Sequence, residues 1–123
     1  MSEHLFGNLG AAERHQREAL RIAIAVGYSE GVAISIGDLA YLALDRKDWQ
    51  GAETLARKAL PLSENVGRQE LIAADSLRLA LALVPQGKRS EALPHALRAV
   101  EIFNRLGSPE LEEARATLAK CEG

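Results

Sequence analysis

Few side chains in this sequence have the type and spacing that catalysis or metal binding requires. The histidines are His4, His15 and His95. His15 and His95 fall at the same position of the 40-residue repeat described below, two repeats apart, and stacking would separate their imidazoles too widely to share a zinc ion. The adjacent Glu112 and Glu113 suit the positive first turn of a helix better than an acid–base role. We therefore predict no catalytic residue, no metal site, no cofactor and no enzymatic activity.

Composition and charge narrow the function classes further. The 123 residues include 15 Lys and Arg against 17 Asp and Glu, and the formal net charge of -2 argues against a strongly basic nucleic-acid binder. Cys121 is the single cysteine, which excludes an intramolecular disulfide and a cysteine-based zinc cluster. A helix that spans a membrane needs a run of about 18 or more apolar residues, and the sequence contains no such run. The segment MSEHLFGNLG lacks the basic and apolar regions of a signal peptide, so we expect a cytoplasmic protein.

The elements that must position any functional side chain are helices in a repeat of 40 residues. Aromatic residues make up only 4% of the chain, whereas alanine and leucine dominate, a composition that favours helix over strand. At an offset of 40, the segments 7–30, 47–70 and 87–110 align, and small residues at a fixed period are typical of a helical solenoid. The four columns identical in all three segments are Ala12, Ala52 and Ala92; Ala19, Ala59 and Ala99; Gly27, Gly67 and Gly107; and Glu30, Glu70 and Glu110.

Each constant column has a physical reason. An alanine methyl lets a neighbouring helix approach closely, while larger leucine and isoleucine columns fill the space beside it. A glycine just past a helical run closes that helix in the left-handed conformation without a Cβ penalty. The periodicity predicts B helices at 9–26, 49–66 and 90–106 and A helices at 31–45, 71–84 and 109–121.

The prolines place further limits on these helices. Pro85 ends the second A helix, because its ring clashes with a continuing helix. Pro94 is expected near the first turn of its B helix, where a missing N–H costs least. Pro61 lies inside the second B helix, where we expect a kink or an early frayed end. Ser108 and Pro109 are expected as N-cap and first residue of the last helix.

These columns and turns resemble a tetratricopeptide-repeat (TPR) array. Lys47-Asp48-Trp49 matches the family's turn between helices, and Ala52 and Ala59 match its two alanines. Leu39, Ala40 and Ala43 match the family's first-helix positions. The 40-residue period, longer than the usual about 34, is similar to arrays in kinesin light chains and in bacterial signalling ATPases and regulators. The resemblance implies an all-α, right-handed superhelical solenoid of antiparallel helix pairs. A HEAT or armadillo repeat is the alternative, which explains the turn and paired alanines less well.

We expect one array over residues 1–123, and its ends are unusual. It consists of a B helix at 9–26, repeats at 31–66 and 71–106, and a polar capping A helix at 109–121. The first B helix therefore lacks the A helix that would cover its apolar side. Three explanations are open: either residues 1–8 fold over this helix, or the chain is part of a longer array, or another chain covers the helix. We favour a two-fold dimer through this half, with Leu20 and Ile24 at the contact.

The resemblance also implies a binding surface on the concave face, which the A helices line in TPR arrays. The second A helix is apolar all round, so its leucines serve either an apolar groove or a core buried on both flanks. The function this implies is a scaffold that binds a peptide or helix of a protein partner; the alternative is a self-assembly module. The clamp with which some TPRs bind acidic C-terminal peptides is missing. The partner-binding residues we predict are Ile34, Asp38, Tyr41, Leu44, Asp45, Leu77, Arg78 and Leu81.

Overall fold

The protein forms six α-helices over the part of the chain that the structure describes. The structure is a computed structural model that describes the backbone of residues 2–122 and the side chains of residues 9–122. It contains no strand within that range. The helices are α1 (Ser2–Val26), α2 (Ser29–Asp45), α3 (Trp49–Val66), α4 (Gln69–Leu83), α5 (Arg89–Leu106) and α6 (Leu111–Glu122), with a 3-10 turn at Val84–Gln86 between α4 and α5.

The helices are arranged as the repeat predicts. Each helix packs on the next one along the chain, and α2, α4 and α6 also contact one another in that order. The connections are short, and short connections place consecutive helices antiparallel. Helices α2, α4 and α6 therefore form one layer, backed by α1, α3 and α5. This confirms the predicted all-α array of helix pairs; the hand of its superhelix stays a prediction.

The glycine column ends the helices as predicted. Gly27, Gly67 and Gly107 have φ of 72°, 82° and 67°, a left-handed conformation that glycine adopts without a Cβ penalty. The N–H of Gly67 donates to the carbonyl of Ser63 at 2.9 Å, which satisfies one of the last carbonyls of α3. The helix bounds at this column follow from the sequence to within two residues.

The alanine columns lie where the helices cross. Six alanines of α3 and α5 have no exposed surface, and larger side chains such as Leu79, Leu83 and Phe103 fill the space beside them. In α1 the same columns are uncovered, because Ala12 is only partly buried and Ala19 is exposed. The alanines without exposed surface are Ala52, Ala56, Ala59, Ala92, Ala96 and Ala99.

The first helix is longer than predicted. It begins at Ser2 rather than at residue 9, as one continuous helix to Val26. The idea that residues 1–8 fold over the first B helix is therefore wrong for the backbone of residues 2–8, which extends α1 instead; Met1 and the side chains before Leu9 lie outside the described residues. Gly7 and Gly10 lie inside this helix, where one glycine costs only about 1 kcal/mol relative to alanine.

The proline expectations hold only in part. Pro61 does not end or fray α3, which continues to Val66, and a kink at this proline stays a prediction. Pro94 lies inside α5, which begins at Arg89, so it follows the first turn. Both prolines are exposed. Water can therefore bond the carbonyl that each ring leaves without a helical donor. The last helix begins at Leu111, two residues later than predicted, and the Ser108 hydroxyl accepts from the N–H of Glu110 at 3.1 Å.

Ion pairs join neighbouring repeats along the surface. Each pair links residues more than 30 positions apart, so charges that look locally balanced in the sequence in fact pair across the array. Each pair includes at least one exposed or partly exposed group, and such surface pairs contribute little to stability. The pairs are Arg46–Glu13, Arg57–Glu91, Arg68–Glu30 at 2.7 Å, Lys88–Glu53 at 3.1 Å and Arg98–Glu64 at 2.6 Å.

The contrast between Ala59 and Ala19 gives a test of the crossing geometry. Ala59→Leu adds three carbons at a crossing with no free space, so we expect it to lower the free energy of unfolding by about 1–3 kcal/mol. Ala19→Leu makes the same change at the exposed copy of the column and should stay within about 0.5 kcal/mol. Urea denaturation of dilute protein measures both. Equal effects at the two positions would contradict the predicted register.

Candidate binding groove

A groove of about 510 Å³ opens between α2, α4 and α6. This volume lies in the about 300–1,000 Å³ range of ligand pockets. Its floor is apolar and comes mainly from α4, while aromatic and charged side chains of α2, α3 and α6 surround it. The lining residues are Tyr41, Leu44, Asp45, Trp49, Ala74, Leu77, Arg78, Leu81, Val84, Pro85, Glu110, Glu113, Thr117 and Lys120.

Most of the predicted partner-binding residues meet in this groove. The two that do not line it are Ile34 and Asp38, which lie earlier on α2 and are partly buried. Asp38 still reaches the groove indirectly through Arg78, as described below. The six predicted residues that the structure brings together are Tyr41, Leu44, Asp45, Leu77, Arg78 and Leu81.

Leu77 and Leu81 have different roles in α4. Leu77 is 3% exposed and belongs to the main core cluster, so it forms the closed floor of the groove. Leu81 is partly exposed and packs against that cluster from the groove side. In α4, Leu77 is therefore a core residue, whereas Leu81 presents apolar surface to the groove. A charged residue at position 77 would disrupt the fold, and Leu81 and Tyr41 are the useful positions for testing the groove.

Sequence reasoning missed the contribution of α6. We predicted a capping helix there, yet Glu110, Glu113, Thr117 and Lys120 line the groove. These residues recur at steps of three, four and three, the spacing of one helix face. That spacing is visible in the sequence, but it carries no sign that the face turns towards α4. Trp49 was matched only to the turn before α3, and it also lines the groove.

A buried polar network holds Arg78 at the groove. The Asp75 carboxylate is almost fully buried and accepts from the Ser63 hydroxyl at 2.5 Å and from Arg78 Nη1 at 3.3 Å. Arg78 also lies 4.0 Å from the Asp38 carboxylate, and its guanidinium carbon sits 5.8 Å from the centre of the Tyr41 ring. The network thus connects α3, α4 and α2, and it orients Arg78 beside an exposed aromatic ring.

Gly37 makes room for this network. A Cβ at this position would come within 2.7 Å of Arg78 Nη1 and 2.8 Å of Asp75 Oδ1. No side chain approaches that closely without displacing its neighbours, so the glycine of α2 permits the close approach of the Arg78–Asp75 pair on α4.

The two carboxylates of the network have perturbed pKa values. Burial raises the pKa of Asp75, although the hydrogen bond from Ser63 and the charge of Arg78 act in the opposite direction. Burial also raises the pKa of Asp38, against the charge of Arg78. Both shifts arise because a carboxylate loses favourable hydration when it is buried.

Large apolar side chains are also exposed at the end of α1 and just after it. Ile24 and Val26 are 62% and 71% exposed, and Ile22 and Tyr28 are about half exposed. Leu20, in contrast, is partly buried. Of the two residues predicted for self-association, only Ile24 is therefore exposed.

Register explains which part of α1 is uncovered. Ile22 occupies the column of Ile102, which is buried in α5, and Ala19 occupies that of buried Ala59 and Ala99. The residues of these columns are buried against other helices in α3 and α5, and the corresponding residues of α1 are exposed.

The residues considered for metal binding and nucleophilic chemistry lie apart from the groove. His15 is exposed on α1, and His95 is partly buried on α5, where burial lowers its pKa. Burial raises the pKa of the Cys121 thiol, which disfavours the reactive thiolate. Among the side chains of residues 9–122, no group of three His, Cys, Asp or Glu is arranged to hold a metal ion.

Comparison with known families identifies the repeat. Residues 32–66, which span most of α2 and all of α3, match the family model for a tetratricopeptide repeat. Residues 32–66 therefore form a tetratricopeptide repeat, and the HEAT and armadillo alternatives are set aside for this segment. Such repeats generally mediate protein–protein interaction and are not enzymes in themselves. Searches of curated proteins and of solved structures gave no match. Within residues 2–122, no helix combines the length and apolar character needed to cross a membrane.

The raised pKa of Asp75 predicts an unusual dependence of stability on pH. The folded protein holds a proton on Asp75 more tightly than the unfolded chain does, so this group adds stability as the pH falls from its raised pKa towards the ordinary value of 3.8. The Asp75→Asn variant has no carboxyl group at this position, so its stability does not include this contribution. The unfolding free energy of the parent minus that of the variant should therefore rise on acidification, by at most about 1.4 kcal/mol per pH unit. Urea denaturation at a series of pH values measures it, and a constant or falling difference would contradict the assignment.

Proposed function

We propose that this protein is an interaction scaffold that binds a peptide or helical segment of a partner protein in the groove between α2, α4 and α6. The observation that carries the proposal is an apolar groove bordered by the exposed ring of Tyr41. Several residues that line this groove belong to the identified repeat at residues 32–66. We also propose that residues 1–123 form one array, as the sequence predicts.

The groove offers surface that a partner could bury. Leu44, Leu81 and Val84 are partly exposed at its floor, and Tyr41 is 53% exposed at its border. Each large apolar side chain that becomes fully buried contributes about 1.5–3 kcal/mol. Amphipathic helices dock in such grooves through apolar residues spaced at three and four positions.

The groove is also held in one arrangement before binding. Its floor continues into the main core through Leu77, and its one arginine is fixed by Asp75 and Asp38. Preorganised surfaces bind more tightly because less conformational entropy is lost on association.

The single cysteine fits a reducing compartment, and we propose that the protein is located in the cytoplasm.

The two tyrosines provide a matched test of the groove. A displayed library of short random peptides, selected on the immobilised full chain, supplies ligands, and fluorescence anisotropy measures their affinity. Tyr41→Ala removes an exposed ring from the groove, and we expect it to weaken binding by about tenfold or more. Tyr28→Ala removes a ring that is equally exposed, at 54%, but lies outside the groove, and it should change little. Equal affinity for the parent and Tyr41→Ala would contradict the proposal.

A second candidate function is self-assembly, and the exposed apolar side chains of α1 favour it. Ile22 and Val26 lie one helical turn apart on the same side of α1, while Ile24 is exposed on another side, and burial contributes roughly 25 cal/mol for each Å² removed from water. A two-fold axis that pairs α1 with α1 of a second copy would close the contact into a dimer.

Light scattering separates this candidate from a monomeric scaffold. If α1 forms the contact, the parent protein is a dimer at about 100 μM, a concentration above the Kd expected for several kcal/mol of burial. Ile22→Glu should then give a monomer. Leu97→Glu, a matched change at an exposed leucine of α5, should leave the dimer intact. A monomeric parent at this concentration would rule out the dimer.

A further inference from the structure

The charges around the groove are unequal. Three lining residues are acidic, Asp45, Glu110 and Glu113, and two are basic, Arg78 and Lys120. Among the described side chains, none of the three acids takes part in an ion pair.

Arg78 does not offset these acids. Its guanidinium already faces the buried Asp75 at 3.3 Å and Asp38 at 4.0 Å. Two carboxylates therefore compensate this one cation before any ligand arrives. What remains at the border of the groove is three carboxylates against the single ammonium of Lys120, which leaves an excess of negative charge beside an apolar floor.

Aromatic rings stand beside these carboxylates. Tyr41 and Trp49 line the same groove, and Tyr41 comes one helical turn before Asp45 on α2. An aromatic face attracts a Lys or Arg side chain within about 6 Å of its centre, as Arg78 already shows at Tyr41. Rings and carboxylates together favour a cationic side chain with an apolar stem.

We infer that the groove binds a cationic amphipathic segment of a partner protein, with apolar side chains on the floor formed by α4 and Lys or Arg side chains against Asp45, Glu110 and Glu113. This rests on the proposed function and specifies its ligand. An acidic segment would face the carboxylates with like charge, which complementary interfaces avoid. A second copy of this chain fits less well, because two of the three arginines on its α1, Arg17 and Arg21, already pair with Glu13 and Glu18 at 2.9 and 2.6 Å, which leaves only Arg14 of that helix for the groove.

The composition of selected peptides tests the inference. The same library of short random peptides is selected on the immobilised full chain, and each enriched peptide is retested on Tyr41→Ala and Tyr28→Ala. We expect peptides whose binding needs Tyr41 but not Tyr28 to be enriched in Lys or Arg next to Leu, Ile, Phe or Trp. In these peptides, Lys or Arg changed to Glu should weaken binding about tenfold or more at low salt.

The outcomes separate the two proposals. If the peptides that need Tyr41 are acidic or uncharged, the groove binds ligands but the inferred charge is wrong. If no enriched peptide needs Tyr41, the proposed function fails and the inference fails with it. If the bound species is a second copy of the chain, light scattering detects it, and the inference of a separate cationic partner is overturned.

Adjacent glutamates on α6 provide a matched pair of variants. Glu113 lines the groove, whereas its neighbour Glu112 is exposed outside the lining. Glu113→Gln should weaken a Lys-containing peptide about two- to fivefold at low salt, and Glu112→Gln should leave its affinity within error of the parent. The difference should vanish near 0.5 M salt, where the Debye length falls to roughly 4 Å. Equal effects of the two variants would overturn the electrostatic assignment.

Discussion

The close approach of helices at alanine determines what the rest of this structure can be. Six alanines in α3 and α5 have no exposed surface, and each lets a neighbouring backbone come nearer than a larger side chain would permit. Bulk is supplied elsewhere, by Leu79, Leu83 and Phe103. Since the crossings recur every 40 residues, α2, α4 and α6 form one layer, and the groove opens along that layer.

The groove and the core share residues, so the groove is built on the packed interior. Leu77 belongs to the core cluster and is also the floor of the groove. Asp75 is buried among helices, yet it holds Arg78, which stands at the groove beside Tyr41. Burying a carboxylate costs free energy unless hydrogen bonds and charges compensate it, and here Ser63 and Arg78 offset part of that cost. A buried polar group thereby orients a surface group, so the surface geometry depends on core packing.

Residues with strong local conformational preferences could be predicted from the sequence. The bounds of α3, Trp49–Val66, agree with the periodicity, and the left-handed Gly27, Gly67 and Gly107 follow from their fixed column. Six of the eight predicted groove residues meet in one groove, because repeat register transfers a face from one A helix to the next.

The errors come from features that local sequence does not encode. The length of α1 was missed because the repeat periodicity predicts a helix only from residue 9, whereas the helix begins at Ser2. The role of Glu113 was missed because a charged helix face looks alike whether it meets solvent or borders a groove. Leu77 could not be separated from Leu81, since both are leucines on an apolar helix and only packing distinguishes them.

Binding in the groove is the central claim, and Trp49 tests it most directly. It is the only tryptophan of the chain and lines the groove, so its fluorescence reports on that site alone. The measurement is a titration of the full chain with a tryptophan-free peptide selected on it, followed by Trp49 emission. The account predicts a saturable change in emission with the same Kd as anisotropy, and no such change for Tyr41→Ala. Full binding by anisotropy with unchanged Trp49 emission would contradict it.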